Sequence, residues 1–199
     1  MANSFKEAVR HRRSYYSIGK DVNVSNHDIE EIVKFALLNV PSAFNSQSAR
    51  VVLLFDDNHT KLWDIVKNNL RKIVPAQAFE ATSDKIDTFS AGYGTMLYFE
   101  DQAVVEALQA QFPTYAENFP KWSLQSSGML QFTIWTMLED AGFGASLQHY
   151  NPLIDIDVHS EWNIPKNWIL IAQMPFGNPV AKPGAKEFLP IEDRMMTFK

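Results

Sequence analysis

Three short stretches of the 199-residue chain carry side chains suited to holding a ligand. His11-Arg12-Arg13-Ser14 puts two guanidiniums and a hydroxyl within reach of one anion, and the planar fork of arginine donates bidentate bonds to a phosphate. The same basic cluster also suits the C-terminal end of a helix, where it complements the dipole. Pro41-Ser42-Ala43-Phe44-Asn45-Ser46-Gln47-Ser48 offers amides, hydroxyls and one aromatic ring, either as a turn-rich connection or as a polar edge for a ligand. Gly142-Phe143-Gly144-Ala145-Ser146-Leu147-Gln148-His149-Tyr150-Asn151-Pro152 contains glycines that permit tight turns or close approach of backbone to a ligand.

Conventional catalytic groups are missing. The chain has no cysteine, which excludes disulfides, thiolate metal sites and thiol redox chemistry. Its five histidines form no His-Glu-x-x-His or other spaced cluster, and His27, His59 and His159 sit among polar residues as solvated histidines do, so no metal is expected. Gly92-x-Gly94 precedes a strand and Gly142-x-Gly144 follows a helix, whereas a dinucleotide fingerprint runs from strand through Gly-x-Gly-x-x-Gly into helix. There is no Gly-x-Ser-x-Gly elbow, and no carboxylate pair is singled out by apolar context. Chemistry, if present, belongs to a cofactor. A net charge of −5 argues against a nucleic-acid partner. No apolar run approaches the roughly 20 residues of a membrane span, and Met1 to Arg10 lacks a signal-peptide core. With 46% hydrophobic residues, the chain is expected to fold as one domain over residues 1–199, soluble and cytoplasmic.

The elements that must position these stretches are legible from periodicity. Ser4-x-x-Glu7 is a capping box and starts a helix running to about Arg12, followed by loop from Ser14 to Gly19. Ser25 to Asp28 is a second box-like start, ahead of Ile29, Ile32, Val33, Ala36 and Leu37 on one helical face that ends before Pro41. Val51 to Phe55 is an unbroken apolar run and reads as an interior strand; Thr95 to Phe99 and Trp168 to Gln173 supply two more. Leu62 to Ile73 marks a third helix, and Asp101 caps a fourth that Pro113 closes. From about Leu124 to Ala141 a helix has almost no polar face, so it is buried on all sides, in a large core or at a dimer interface, with Gly142 as its C-terminal cap. Pro175 to Lys199, punctuated by four prolines, reads as an extended tail.

Taken in order, the three stretches resemble the FMN-dependent nitroreductase family, in particular its short bacterial and fungal branch, over nearly the whole chain. The resemblance implies an α+β fold, a three-layer α/β/α sandwich with a mixed central sheet, assembled as a homodimer with an extended C-terminal arm. It also implies bound FMN, with NADH or NADPH as donor and nitroaromatic or quinone-like acceptors. By this likeness Arg12 holds the FMN phosphate, supported by Arg13 and Ser14. Ser42, Phe44, Asn45 and Gln47 match the family's Pro-Ser-x-x-Asn-x-Gln loop, which approaches the flavin from the partner subunit. Gln148, His149 and Tyr150 match the stretch along the flavin ring, where main-chain groups reach its N5 and O4 edge. Lys182 and Lys186 match the tail residues that complete the phosphate site. One departure is Tyr16, where many longer members carry Lys or Arg. Arg12 and the tail lysines must then neutralise the phosphate, while Arg13 is available for a structural salt bridge. The alternative within the same likeness is a flavin-binding regulator or store with negligible turnover.

Overall fold

The computed structural model describes residues 4–199. In chain order its elements are α1 (Phe5–His11), β1 (Ile18–Gly19), α2 (Asn26–Asn39), β2 (Ala49–Phe55), α3 (Asp56–Arg71), α4 (Ala76–Ser90), β3 (Gly94–Asp101), α5 (Gln102–Gln111), α6 (Phe119–Asp140), β4 (Gly144–Ala145), α7 (Asp155–Glu161) and β5 (Trp168–Pro179). The sheet order is β1-β5-β3-β2, with β4 also pairing to β5. Every strand pairing is antiparallel, so the expected mixed character reduces to one parallel bridge between Ser14 and Ala145.

The central strand β3 is buried along its whole length, and alternation along it divides the core in two. Met96 and Tyr98 pack with Ile29 and Val33 of α2 and Leu130, Ile134 and Leu138 of α6. Leu97 and Phe99 pack with Leu62, Trp63 and Val66 of α3, Ile86 and Phe89 of α4, and Val158 of α7. Helices on both faces of the sheet give the expected α+β three-layer sandwich.

Both capping boxes form: Ser4 and Ser25 each accept from the backbone three residues on, and Glu7 and Asp28 reach back. Gly142 sits at φ +88 just beyond α6, the left-handed stop that its position required. The interior placement of Val51 to Phe55 is corrected. Within the chain β2 pairs only with β3 and is an edge. Its unbroken apolar run has another cause: Val51, Leu53 and Phe55 face one helical layer while Val52 and Leu54 face the other. Of the two settings expected for α6, enclosure in its own chain's core is not what the structure has, since Leu124, Met129 and Phe132 are 54%, 43% and 39% exposed. Beside Leu130, Ile134 and Leu138, its inner face also carries Ser123, Ser126, Ser127 and Gln131, whose side chains hydrogen-bond within the helix. β5 extends past Gln173 to Pro179, so Pro175 lies in a strand and the extended segment begins later. Helices α4 and α7 were not legible; each buries few large side chains, Ile86 and Phe89 in the first and Val158 in the second.

His59, expected in a solvated setting, is fully buried on α3. Its Nδ1 lies 2.8 Å from Thr95 Oγ1, a hydroxyl that accepts from Trp63 Nε1 at 3.0 Å, and its Nε2 lies 3.2 Å from the Ser90 carbonyl. Burial, opposed in part by the Ser90 carbonyl, brings its pKa down to about 4. Between pH 4 and 6.5 the unfolded chain therefore binds more protons than the native one, and stability falls as pH drops through that window. A shift of this size corresponds to roughly 3 kcal/mol. His59→Gln keeps hydrogen-bonding capacity without the titration, so its unfolding temperature is expected to fall less steeply than wild type from pH 6.5 to 4.5. Parallel pH slopes for the two proteins would refute the assignment.

Candidate functional site

Arg12 sits at the end of α1 as its C-cap, its amide donating to the Ala8 carbonyl. From there the chain turns along the sheet edge. Arg12, Arg13, Ser14 and Tyr16 line a cavity of about 570 Å³, whose other wall is the tail segment Ala181–Lys186, including Lys182 and Lys186. Four cations and no carboxylate line it. The Arg12 guanidinium lies 4.3 Å over the Trp135 ring, and its buried Nε has no hydrogen-bond partner. Burial works against the charge of Arg12, with Glu139 partly offsetting it. A half-buried cation with an unspent donor, at the wall of a cationic cavity, is suited to a phosphate. Among the described residues Arg13 makes no salt bridge of the expected kind; its Nη2 donates to the Gly184 carbonyl at 2.7 Å and ties the tail to the cavity wall.

The Gly142 to Pro152 stretch is brought beside this cavity. Ser14 bridges to Ala145, and the Tyr15 amide donates to the Ala145 carbonyl at 2.9 Å. Gly144 is required by contact: a Cβ there would meet the Tyr15 side chain at 2.8 Å. Further on, Gln148 is not presented as an open ligand. Its side chain is buried and donates to Ser146 Oγ at 3.1 Å, and its amide and carbonyl are both paired with Gln173. Gln173, fully buried on β5, also accepts from the Tyr150 amide through Oε1 at 2.7 Å. His149 between these anchors is exposed. Tyr150 is half-buried edge-on to Trp63, and burial raises its hydroxyl to about 12, so it stays a neutral donor.

The Pro41 to Ser48 loop is held in an unusual shape. Phe44, Asn45 and Gln47 have φ of 56, 52 and 49, left-handed values that cost non-glycine residues energy unless neighbours fix them. Ser42 Oγ accepts from the Gln47 amide at 3.0 Å, and Arg50 Nη1 donates to the Gln47 carbonyl at 2.7 Å. Phe44 packs on Phe112, Phe119 and Trp122, ring centroids 4.9, 5.3 and 6.1 Å away. The side chains of Asn45 and Gln47 remain exposed. This loop borders a separate cavity of about 250 Å³, shared with Ser126 and Leu130 of α6, that has no lining residue in common with the cationic one. One chain thus brings the first and third stretches together and leaves the second apart.

Among the described residues no group of three or more His, Asp or Glu is placed to hold a metal, and no helix is long and apolar enough to cross a membrane. Sequence reasoning missed Gln173, Trp135 and the buried Glu100. For Gln173 and Glu100 a signal existed, since each is a polar residue inside or ending an apolar strand run.

The nitroreductase family profile matches residues 9–178, most of the chain. The chain belongs to the nitroreductase family. It is 36% identical over 180 residues to putative nitroreductase HBN1 of Saccharomyces cerevisiae, covering 89% of each chain. Among solved structures, nitroreductase CinD from Lactococcus lactis in complex with nicotinic acid superposes with a TM-score of 0.91 and 46% identity, covering 98% of this chain and 100% of that one. A putative nitroreductase from Exiguobacterium sibiricum in complex with FMN shares the fold at a TM-score of 0.75 and 15% identity, covering 100% and 99%. Membership in this nitroreductase family makes the chain a flavin-dependent oxidoreductase.

Proposed function

We propose that this nitroreductase is a cytoplasmic FMN-dependent oxidoreductase, a homodimer that takes reducing equivalents from NADH or NADPH and passes them to nitroaromatic or quinone-like acceptors. The observation that carries the reading is the cationic cavity lined by Arg12, Arg13, Ser14, Lys182 and Lys186, with Arg12 also holding a buried Nε that has no hydrogen-bond partner among the described residues. These residues fit a phosphate monoester, and the absence of acid, base or nucleophile fits a site whose hydride and electron chemistry FMN supplies when bound. Support also comes from the relatives: CinD structures exist in complex with nicotinic acid and with 4-nitrophenol, a pyridine carboxylate and a nitroaromatic.

In this reading Arg12 is the phosphate ligand and Ser14 a further donor, while Arg13 fixes the tail that carries the two lysines. Gln148 becomes a brace, paired to Gln173, that leaves the backbone at His149 to meet the ring edge. The exposed amides of Asn45 and Gln47 serve the partner's flavin, which accounts for a loop lying apart from the cationic cavity within its own chain. Phe44, with Phe112 and Trp122 behind it, gives that loop an apolar shoulder that excludes water and suits a planar aromatic acceptor. The dimer also accounts for two unfinished surfaces, the apolar outer face of α6 and the open edge of β2.

Purified protein is expected to be yellow, with flavin absorption, and to bleach on anaerobic mixing with NADH or NADPH, recovering its colour when a nitroaromatic is added. Yellow protein that neither nicotinamide bleaches would favour a flavin store or regulator. Protein that binds no FMN would overturn the reading.

A further inference from the structure

The central strand ends in two carboxylates with different surroundings. Asp101 accepts from the Ala103 amide at 3.1 Å, from Asn167 Nδ2 at 2.6 Å and from Arg50 Nη2 at 2.8 Å. Glu100 is fully buried: its Oε2 accepts from Ser48 Oγ at 2.6 Å, and its buried Oε1 has no hydrogen-bond partner among the described residues. A charged carboxylate held this way is costly, because desolvation is not repaid by hydrogen bonds. Burial accordingly raises its pKa to about 7, with Ser48 and Arg50 pulling it down and Asp101 adding to the rise. Arg50 of β2 and Asp101 of β3 are the charges acting on it. The α6 helix, packed on both strands, has only uncharged side chains at its buried positions, and Ile169 faces Glu100 from β5.

Ser48 is where the Pro41 to Gln47 loop enters β2. Its carbonyl accepts from the Asp101 amide at 2.9 Å, one residue from the Glu100 contact. The turn before it holds the left-handed Phe44, Asn45 and Gln47, a shape that persists only when surrounding contacts over-determine it.

We propose that Glu100 is a positioning residue for the flavin site: through Ser48 it fixes the Asn45 to Gln47 loop in the shape that presents its amides to the cofactor. This rests on the flavin reading above. With the carboxyl neutral the link is an uncharged hydrogen bond suited to its dry surroundings; ionisation leaves a charge with an unpartnered oxygen, draws water behind the loop and loosens it.

FMN affinity of the full-length protein, stripped and reconstituted, should be measured by flavin fluorescence from pH 6.5 to 9 for wild type, Glu100→Gln and Ser48→Ala. The FMN phosphate is common to all three, so its own titration cancels in the comparison. Wild-type affinity is expected to fall about tenfold more than that of Glu100→Gln across this range, a difference of roughly 1.4 kcal/mol. Ser48→Ala is expected to bind about tenfold more weakly at pH 6.5 and to lose the excess pH dependence. The flavin-free proteins give a second readout. The native state binds more protons than the unfolded chain between pH 4.5 and 7, so wild-type unfolding temperature is expected to fall with rising pH relative to Glu100→Gln. Identical affinity profiles in wild type and Glu100→Gln overturn the positioning role while leaving the flavin reading intact. If Glu100→Gln does not fold, wild-type affinity in Ser48→Ala at every pH overturns it. Wild type that binds no FMN at any pH overturns both.

Discussion

Arg12→Ala is expected to weaken FMN binding by about 2 to 4 kcal/mol, the range for truncating one partner of a buried charge pair, or roughly 30- to 700-fold. The size of the effect follows from where the side chain sits. Its guanidinium is pressed against the Trp135 ring and its Nε has no hydrogen-bond partner among the described residues, so its charge is only partly hydrated and depends on a ligand for full satisfaction. Arg13→Ala should cost less, because Arg13 already spends Nη2 on the Gly184 carbonyl and acts through the tail. Lys182 and Lys186 are exposed, and salt screens their share of the attraction more than that of Arg12. Flavin dissociation constants at two ionic strengths would separate these contributions. Retention of FMN by Arg12→Ala at the wild-type level, in a protein with unchanged unfolding temperature, would remove Arg12 from the site.

How far the sequence could be read depended on whether a signal was local. The capping boxes at Ser4 and Ser25 and the glycine stop at Gly142 are short-range chemistry, and each forms where its residues stand. Strand existence was equally plain, because the residues of β3 and β5 are apolar over several positions. Strand position was not. The apolar run of β2 records helices above and below the sheet and says nothing about how many strands lie beside it. The α6 helix shows the complementary limit: Ser123, Ser126 and Ser127 face inward and Leu124 and Phe132 outward, an arrangement that an apolar count over the helix hides. At the site, clustering of Arg12 to Tyr16 with Lys182 and Lys186 joins segments more than 160 residues apart, beyond any local pattern. Gln148 was legible as a member of its segment, yet its role as a brace depends on Gln173 across the sheet. The buried state of His59 likewise depends on Thr95 and Ser90, which periodicity along α3 does not reveal.

Truncation after Val180 is expected to abolish dimer, bound flavin and nitroreductase activity together. The cut leaves β5 intact to Pro179, including its pairing with β1 and the bond from the Val180 amide to the Ser17 carbonyl, so the sandwich itself should survive. What it removes is the wall of the cationic cavity, with Lys182 and Lys186, and a segment whose apolar side chains have little cover in their own chain. Met196 and Phe198 are 83% and 91% exposed, and Phe188, Leu189 and Ile191 are exposed as well. That much uncovered apolar surface on an extended arm is unfavourable in water and is accounted for if the arm lies on a second copy. In the proposed homodimer, such an arm would tie assembly to cofactor retention, as in obligate dimers that often have no stable folded monomer. The double variant Lys182→Ala, Lys186→Ala distinguishes charge from reach: it should keep the dimer and bind FMN more weakly, whereas the truncation should lose both. Light scattering after gel filtration and flavin absorbance on the same peak give the two readouts. A truncated monomer that retains FMN and turns over at the wild-type rate would show that the arm contributes neither to assembly nor to the site.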